Sequence, residues 1–407
     1  MHEIIVQKYG GTSVAGPKRI KNVARRVAGY KKKGYDLVVV VSALGDTTDE
    51  LLKLAHGITD TPPGRELDML MSTGEQVSVA LLAMAMHSLG LEAISLTASQ
   101  VGIITDRRHT RARILDINTE RIKEELNKGR IVIVAGFQGT SLDREITTLG
   151  RGGSDMTAIA LAKVLKAKAC EIYTDVDGVY TADPRIVKNA GRLDTISYEE
   201  MLELASLGAQ VMQSRSIEVA SKFNIPIHVR SSFTKKDGTW IVKEVRAMEE
   251  VLVRGVAVNK SEAKVTICDV PDRPGVAARI FSALAKDDIN VDMIIQNISR
   301  TKATDVSFTV NESDLARTLD CARDISRKIG ARSVIHDKNI AKVSVVGVGM
   351  RSHSGVAGKM FGALASKRIN IEMISTSEIK ISCVIERGRA EEAARIIHKE
   401  FKLGRNR

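Results

Sequence analysis

The chain has 407 residues, enough for two or three domains with real cores, and a formal charge of +12. Aromatics are only 3% of the residues, and the basic side chains are spread over helical faces (Lys18, Arg19, Lys21, Arg25, Arg26, Lys31). There is therefore little to stack bases on, and the charge reads as solvated surface that also favours small anionic substrates. Cys170, Cys268, Cys321 and Cys383 lie far apart without metal-ligand spacing, the N-terminus lacks a signal core, and the longest apolar run, 77–86, is too short to span a bilayer. The expectation is a cytoplasmic protein with reduced thiols, no membrane and no nucleic acid.

A short apolar strand, Ile4–Val6, leads into Lys8-Tyr9-Gly10-Gly11-Thr12-Ser13 and then a helix with Ile20, Val23, Ala24 and Val27 on one face. Strand, glycine loop and helix together aim backbone N–H groups and a helix N-terminus at an anion, with Lys8 adding a full charge. Alone, the glycine pair is equally compatible with a tight turn. Further strands are expected at Leu37–Val41, Ala93–Leu96, Ile131–Ala135, Cys170–Tyr173 and Ile227–Val229. Helical patterns fall at 65–88, 119–128, 155–166 and 198–222. Runs apolar on both faces, such as 37–41 and 131–135, belong to a sheet covered on each side, so the fold class is doubly wound α/β. Its ligands sit at the carboxyl ends of the strands. There the unusual loops fall: Ser42–Thr48, Gly136–Gly139, Thr147–Asp155 and Thr174–Arg185.

A polar stretch places a domain boundary near 245–250. Beyond it, residues 275–294 repeat at 355–374 with eleven of twenty positions identical, and Ala263-Lys264-Val265 aligns with Ala341-Lys342-Val343 at an offset two residues shorter. Each copy reads strand, helix, strand, strand, helix, strand, the split βαβ ferredoxin-like order. The expected domains are 1–248, 249–337 and 338–407.

Taken together, K-Y-G-G-T-S at 8–13, T-L-G-R-G-G-S-D at 148–155, T-D-V-D-G-V-Y-T-A-D-P-R at 174–185 and the tandem repeat resemble the aspartate kinases of the amino-acid kinase family, with paired C-terminal ACT domains. The resemblance covers essentially the whole chain and implies transfer of the ATP γ-phosphoryl, with Mg²⁺, to the side-chain carboxylate of L-aspartate. Such an acceptor is already anionic and needs no general base, which fits loops without histidine. By resemblance, Lys8 and Asp155 are catalytic, Asp155 orienting Lys8. Thr47, Glu75, Arg151, Gly152, Gly153 and Ser154 hold the amino acid, Arg151 at a carboxylate and Glu75 at the ammonium. The nucleotide falls to Lys8, Tyr9, Gly10, Gly11 and Ser42, with Thr174, Asp175, Tyr180, Thr181, Ala182, Asp183, Pro184 and Arg185. No protein metal site is implied. One departure stands out: Gln210 replaces a lysine that relatives often have beside the nucleotide.

The ACT pair implies feedback control by lysine, threonine or both. The residues expected at the effector are Asp272, Asn290, Val291, Asp292 and Gln296 of the first copy, with Asn370, Ile371, Ser377 and Glu378 of the second. Met293 and Met373 are read as core. Open sheet edges imply a homo-oligomer formed through the ACT units, and Met248 offers an internal start for a separate regulatory subunit. The competing readings are another amino-acid kinase, acting on acetylglutamate or glutamate, and a non-catalytic amino-acid-responsive regulator.

Overall fold

A computed structural model describes residues 2–208, 211–243, 252–297, 303–351 and 353–404. Gln210, Met248 and the boundary at 245–250 lie outside them. The chain divides into two compact units. One runs to Val179, resumes over Arg192–Ala205 and closes with 211–243. The other holds Tyr180–Gly191, 206–208 and the described residues from 252 onward.

The first unit is built on an eight-stranded sheet. Its strands are β1 (Ile4–Tyr9), β2 (Asp36–Val41), β3 (Ala93–Leu96), β4 (Ile131–Ala135), β5 (Ala169–Thr174), β6 (Thr195–Ser197), β7 (Ile227–Ser231) and β8 (Thr239–Val242), in the order β6-β8-β7-β5-β1-β2-β4-β3. Six strands are parallel, while β8 runs antiparallel to β7. β2 and β4 are buried at every residue, as expected of strands covered on both faces. Helix α1 (Pro17–Lys32) starts on a proline and buries Ile20, Val23, Ala24 and Val27, the face read from its spacing.

The pattern at 65–88 is realised as two helices, α2 (Gly64–Met71) and α3 (Thr73–His87). By length and composition this 24-residue stretch passes for a membrane span, contrary to the shorter apolar run read in the sequence. It is a core element of this fold: Val79, Leu82 and Met86 pack with Val39, Ile131 and Ile133. The pattern at 198–222 likewise splits, into helices Tyr198–Ser206 and Ser214–Phe223. A small four-stranded sheet (Ile103–Thr105, Ile114–Ile117, Gln138–Ser141, Ile146–Thr148) was not legible in the sequence. Its last strand feeds the turn into α4 (Gly153–Val164).

His228 on β7 stacks on Trp240 of β8 with ring centroids 4.0 Å apart, and Nε2 finds no hydrogen-bond partner among the described residues. Burial, then the Arg230 charge, pushes its pKa down to about 4. The unfolded chain therefore binds this proton first. The stability supplied by the neutral ring is complete above the unfolded value near 6.5 and is lost as the pH falls toward 4. At pH 4.5 the loss is ~2–3 kcal/mol. Thermal melts of the His228→Gln variant and the parent are expected to converge between pH 7 and 4.5; parallel curves would refute the assignment.

In the second unit the first repeat folds as read. β10 (Glu262–Pro271), α5 (Val276–Lys286), β11 (Val291–Gln296), β12 (Ala303–Asn311), α6 (Leu315–Ile329) and β13 (Ser333–Asp337) give the sheet order β11-β12-β10-β13. The second repeat departs from the expected order. β14 (Ile340–Val346), α7 (Val356–Ser366), β15 (Met373–Thr376), β16 (Lys380–Glu386) and α8 (Ala390–Glu400) are followed by no further strand of that sheet among the described residues. Its fourth strand is β9 (Gly255–Asn259), which precedes the first repeat and pairs antiparallel with β14. The first repeat is thus inserted between the edge strand and the body of the second. Met293 and Met373, 80 residues apart, meet in one cluster with Ile340 and Val384, which joins the two repeats. The cysteines are free.

Candidate active site

Four loops converge at the carboxyl ends of β1, β2, β4 and β5 and are joined through their backbones. Ser42 N–H donates to Tyr9 O (3.1 Å), Gly45 N–H to Gly11 O (3.0 Å), Gly136 N–H to Val41 O (3.0 Å) and Gly10 N–H to Tyr173 O (3.3 Å). A side chain on Gly11 would put its Cβ 2.9 Å from the carbonyl oxygens of both Ala43 and Gly45, so glycine is what lets these two loops touch. Lys8, near the end of β1, reaches under Gly10 to the first turn of α4. There its Nζ lies 2.7 Å from Asp155 Oδ1, the two side chains being 13% and 9% exposed.

The turn entering α4 is held from several sides. Gly152 adopts φ 72°, and a Cβ there would lie 2.2 Å from Gln213 Cγ. A Cβ on Gly136 would stand 2.8 Å from Ser154 Oγ. Arg215 donates to Leu149 O and Ala112 O, both at 3.0 Å. Fully buried Asp68 on α2 accepts from Thr148 Oγ1 (2.5 Å), His109 Nδ1 (2.8 Å) and Thr110 N–H (3.0 Å). Ser154 and Asp155 are thereby fixed in position, while Arg151 stands exposed at the tip.

Beside this turn, Gly74 brings α3 against the loop after β2, where a Cβ would fall 2.8 Å from Ala43 Cβ and 3.6 Å from Thr47 Cγ2. Glu75, the next residue, is buried against this loop. Its Oε1 accepts from Ala43 N–H (3.1 Å), while Oε2 has no partner among the described residues. Desolvation raises its pKa to about 7, against the backbone hydrogen bonds that lower it. A half-satisfied, desolvated carboxylate has the chemistry to receive a cation.

The residues given to the nucleotide by resemblance differ in their surroundings. The Tyr9 side chain is fully buried, stacked on Tyr173 at 4.6 Å and hydrogen-bonded to Gln7, so only its backbone faces the loops. Thr174 donates to exposed Asp175 (3.0 Å) after β5. Tyr180 to Arg185 belong to the second unit. Thr181 is buried, donates to Leu403 O (3.0 Å) and pairs with His398 Nε2 (2.9 Å), and Ala182 packs in that unit's core with Val343 and Ile397. Asp183 binds its own Arg185 in a fork (Nη2–Oδ2 2.7 Å), which holds the carboxyl below its ordinary range; Pro184 lies between them.

Asp272 sits in the turn after β10, at the Gln296 end of β11. Asn290, Val291 and Asp292 lie at the opposite end of that strand. In the second copy Asn370 and Ile371 likewise precede β15 and Ser377 and Glu378 follow it.

Sequence reading missed Asp68, Arg215 and Gln213. For Asp68 a signal existed: Asp68, Ser72 and Glu75 recur at i, i+4, i+7 on a helical face that also carries Met71, and all four are buried.

Residues 3–231 match the amino acid kinase family, and residues 269–323 and 343–401 match the ACT domain. The "Aspartate kinase Ask_LysC" of Stutzerimonas stutzeri is 53% identical over 401 residues, covering 98% of this chain and 97% of that protein. The crystal structure of E. coli aspartokinase III in complex with aspartate and ADP (R-state) is 27% identical with a TM-score of 0.81, covering 98% of this chain and 99% of that one. The same enzyme in complex with lysine and aspartate (T-state) is 26% identical with a TM-score of 0.76, over the same shares of the two chains. The family match over more than half of the chain and the likeness to these relatives over nearly its whole length show that the chain belongs to the aspartate kinases of the amino acid kinase family.

Proposed function

We propose that this aspartate kinase transfers the γ-phosphoryl of ATP to the β-carboxylate of L-aspartate at the loops around Lys8. The observation that carries the reading is the Lys8–Asp155 pair (2.7 Å) beside the buried, half-satisfied Glu75. Glu75 receives the substrate ammonium, exposed Arg151 its α-carboxylate, and Thr47 with Gly152, Gly153 and Ser154 shape the remaining walls. The β-carboxylate attacks as an anion without a general base. Lys8 neutralises charge as the phosphoryl passes between oxygens, and Asp155 keeps its ammonium aimed. The backbones of Tyr9, Gly10, Gly11 and Ser42 frame the phosphates, with Thr174 and Asp175 given to the rest of the nucleotide.

Among the described residues, no three His, Cys, Asp or Glu side chains gather as a metal site. Mg²⁺ carried on nucleotide phosphates asks for only one or two carboxylates, and Asp155 and exposed Asp175 are the candidates. Bound there, it supplies charge neutralisation at the transferring phosphoryl.

We further infer that lysine, threonine or both act as effectors at the ACT pair, lysine being bound in the T-state relative. Homo-oligomerisation through ACT edges is supported by β11 and β15, each paired on one side only and exposing Ile294 (51%) and Ile374 (42%). A hydroxylamine-coupled assay with ATP, Mg²⁺ and L-aspartate is expected to yield aspartyl hydroxamate, reduced by added effector. Product with glutamate or acetylglutamate but not aspartate would overturn the substrate reading.

A further inference from the structure

The two repeats exchange a pair of salt bridges that the sequence offset anticipates. Lys264 of β10 reaches Glu372 of the second repeat. Lys342, its counterpart in β14, reaches Asp292, the counterpart of Glu372. The bridges occupy equivalent places about the Met293–Met373 contact. They are not equal in charge. Lys342 is almost fully buried and also contacts buried Glu262. The position aligned with Glu262 in the second repeat is Ile340, which packs in the apolar cluster.

One side thus holds a single cation between two carboxylates, and the other holds a matched pair. Among the described residues, the remaining groups against Glu262 do not restore the balance. Asn259 Nδ2, which donates to it (2.9 Å), is neutral, and Arg387 is engaged by Glu312 (2.8 Å) while touching only the Glu262 carbonyl (3.5 Å). Asp292 remains 42% exposed, so the surplus charge is presented to solvent at the start of β11, between Asn290 and Met293. In the partly buried seam a unit charge is weakly screened.

We propose that Glu262, acting through the lysine it shares with Asp292, makes the Asp292 side of the ACT pair selective for an amino acid with a cationic side chain, while the Lys264–Glu372 side suits a neutral zwitterion. The inference rests on the effector reading above. Glu262 itself does not touch the ligand: it is a specificity determinant that leaves Asp292 incompletely neutralised. Replacing it by glutamine makes the two sides electrostatically equivalent.

The test is isothermal titration of the full chain with L-lysine and, separately, L-threonine. Glu262→Gln is expected to weaken lysine about tenfold and leave threonine within twofold, while Glu372→Gln leaves lysine within twofold. Asp292→Asn, at a half-exposed position, removes the same surplus and is expected to weaken lysine at least as much; it decides the matter if Glu262→Gln fails to fold. Unchanged lysine affinity in these variants overturns the proposal, as does an equal loss for both amino acids or an equal loss in Glu372→Gln. A parent that binds threonine but not lysine also overturns it and leaves the effector reading standing. A parent that binds neither removes both.

Discussion

Lys8→Met is expected to lower kcat about 10³-fold, or ~4 kcal/mol of transition-state stabilisation, with the KM for aspartate within about threefold. The expectation follows from where the ammonium sits. Lys8 leaves the end of β1, between the glycine loop and α4, and its Nζ is fixed 2.7 Å from Asp155, both side chains being largely shielded from solvent. A cation held before the reaction costs no reorganisation when charge moves across the phosphoryl oxygens. Methionine keeps the volume and the apolar stem but leaves the Asp155 carboxylate buried without its cation, so some loss of thermal stability accompanies the kinetic effect. Lys8→Arg separates the two: it restores the charge but not the reach past Gly10, where a Cβ would already stand 3.4 Å from Nζ. Melting near the parent value with kcat still far below it is the expected result for arginine. Full recovery of kcat by arginine would sink the claim that placement, rather than charge alone, matters.

What the sequence revealed follows from which interactions are local. β2 and β4 were readable because they are apolar at every position, and α1 because its four buried residues fall at helical spacing. The small sheet was not readable, since it joins three- and four-residue strands whose pairing depends on tertiary neighbours. The second repeat hid its edge strand because β9 lies on the far side of the first repeat in sequence, a distance that no motif spacing records. At the active site the motif residues were legible through glycine and charge, but their supports were not. Asp68 and Arg215 reach the Thr148–Asp155 turn from helices remote in sequence. The grouping of Tyr180 to Arg185 with the nucleotide came from resemblance alone. Local spacing does not reveal that Thr181 is bonded to His398 and the Leu403 carbonyl.

Glu75→Gln is expected to raise the KM for aspartate about 10²-fold, ~3 kcal/mol, with a smaller change in kcat, because the substrate ammonium loses a charged partner in a dry pocket. The pH dependence makes the claim specific. In the empty enzyme Glu75 titrates near 7, raised by burial from an ordinary value of 4.5. Only the ionised form receives an ammonium, so kcat/KM for aspartate should fall toward tenfold per pH unit below about 6.5. At saturating aspartate, kcat should stay flat, since the bound ammonium holds the carboxyl ionised. Stability moves the other way. A folded pKa above the unfolded one means the native state holds the proton more tightly, so this contribution is complete below pH 4.5 and is lost as the pH rises through 7. The residual cost of the charged, desolvated carboxylate is ~3 kcal/mol at pH 8. Glutamine keeps the hydrogen bond from Ala43 N–H without that charge. The variant should therefore melt higher than the parent at pH 8 without substrate and show no advantage at pH 5. A group placed only for packing would give none of this crossing behaviour. If aspartate KM in Glu75→Gln stayed within twofold of the parent, ammonium recognition would have to be sought elsewhere along the loop after β2.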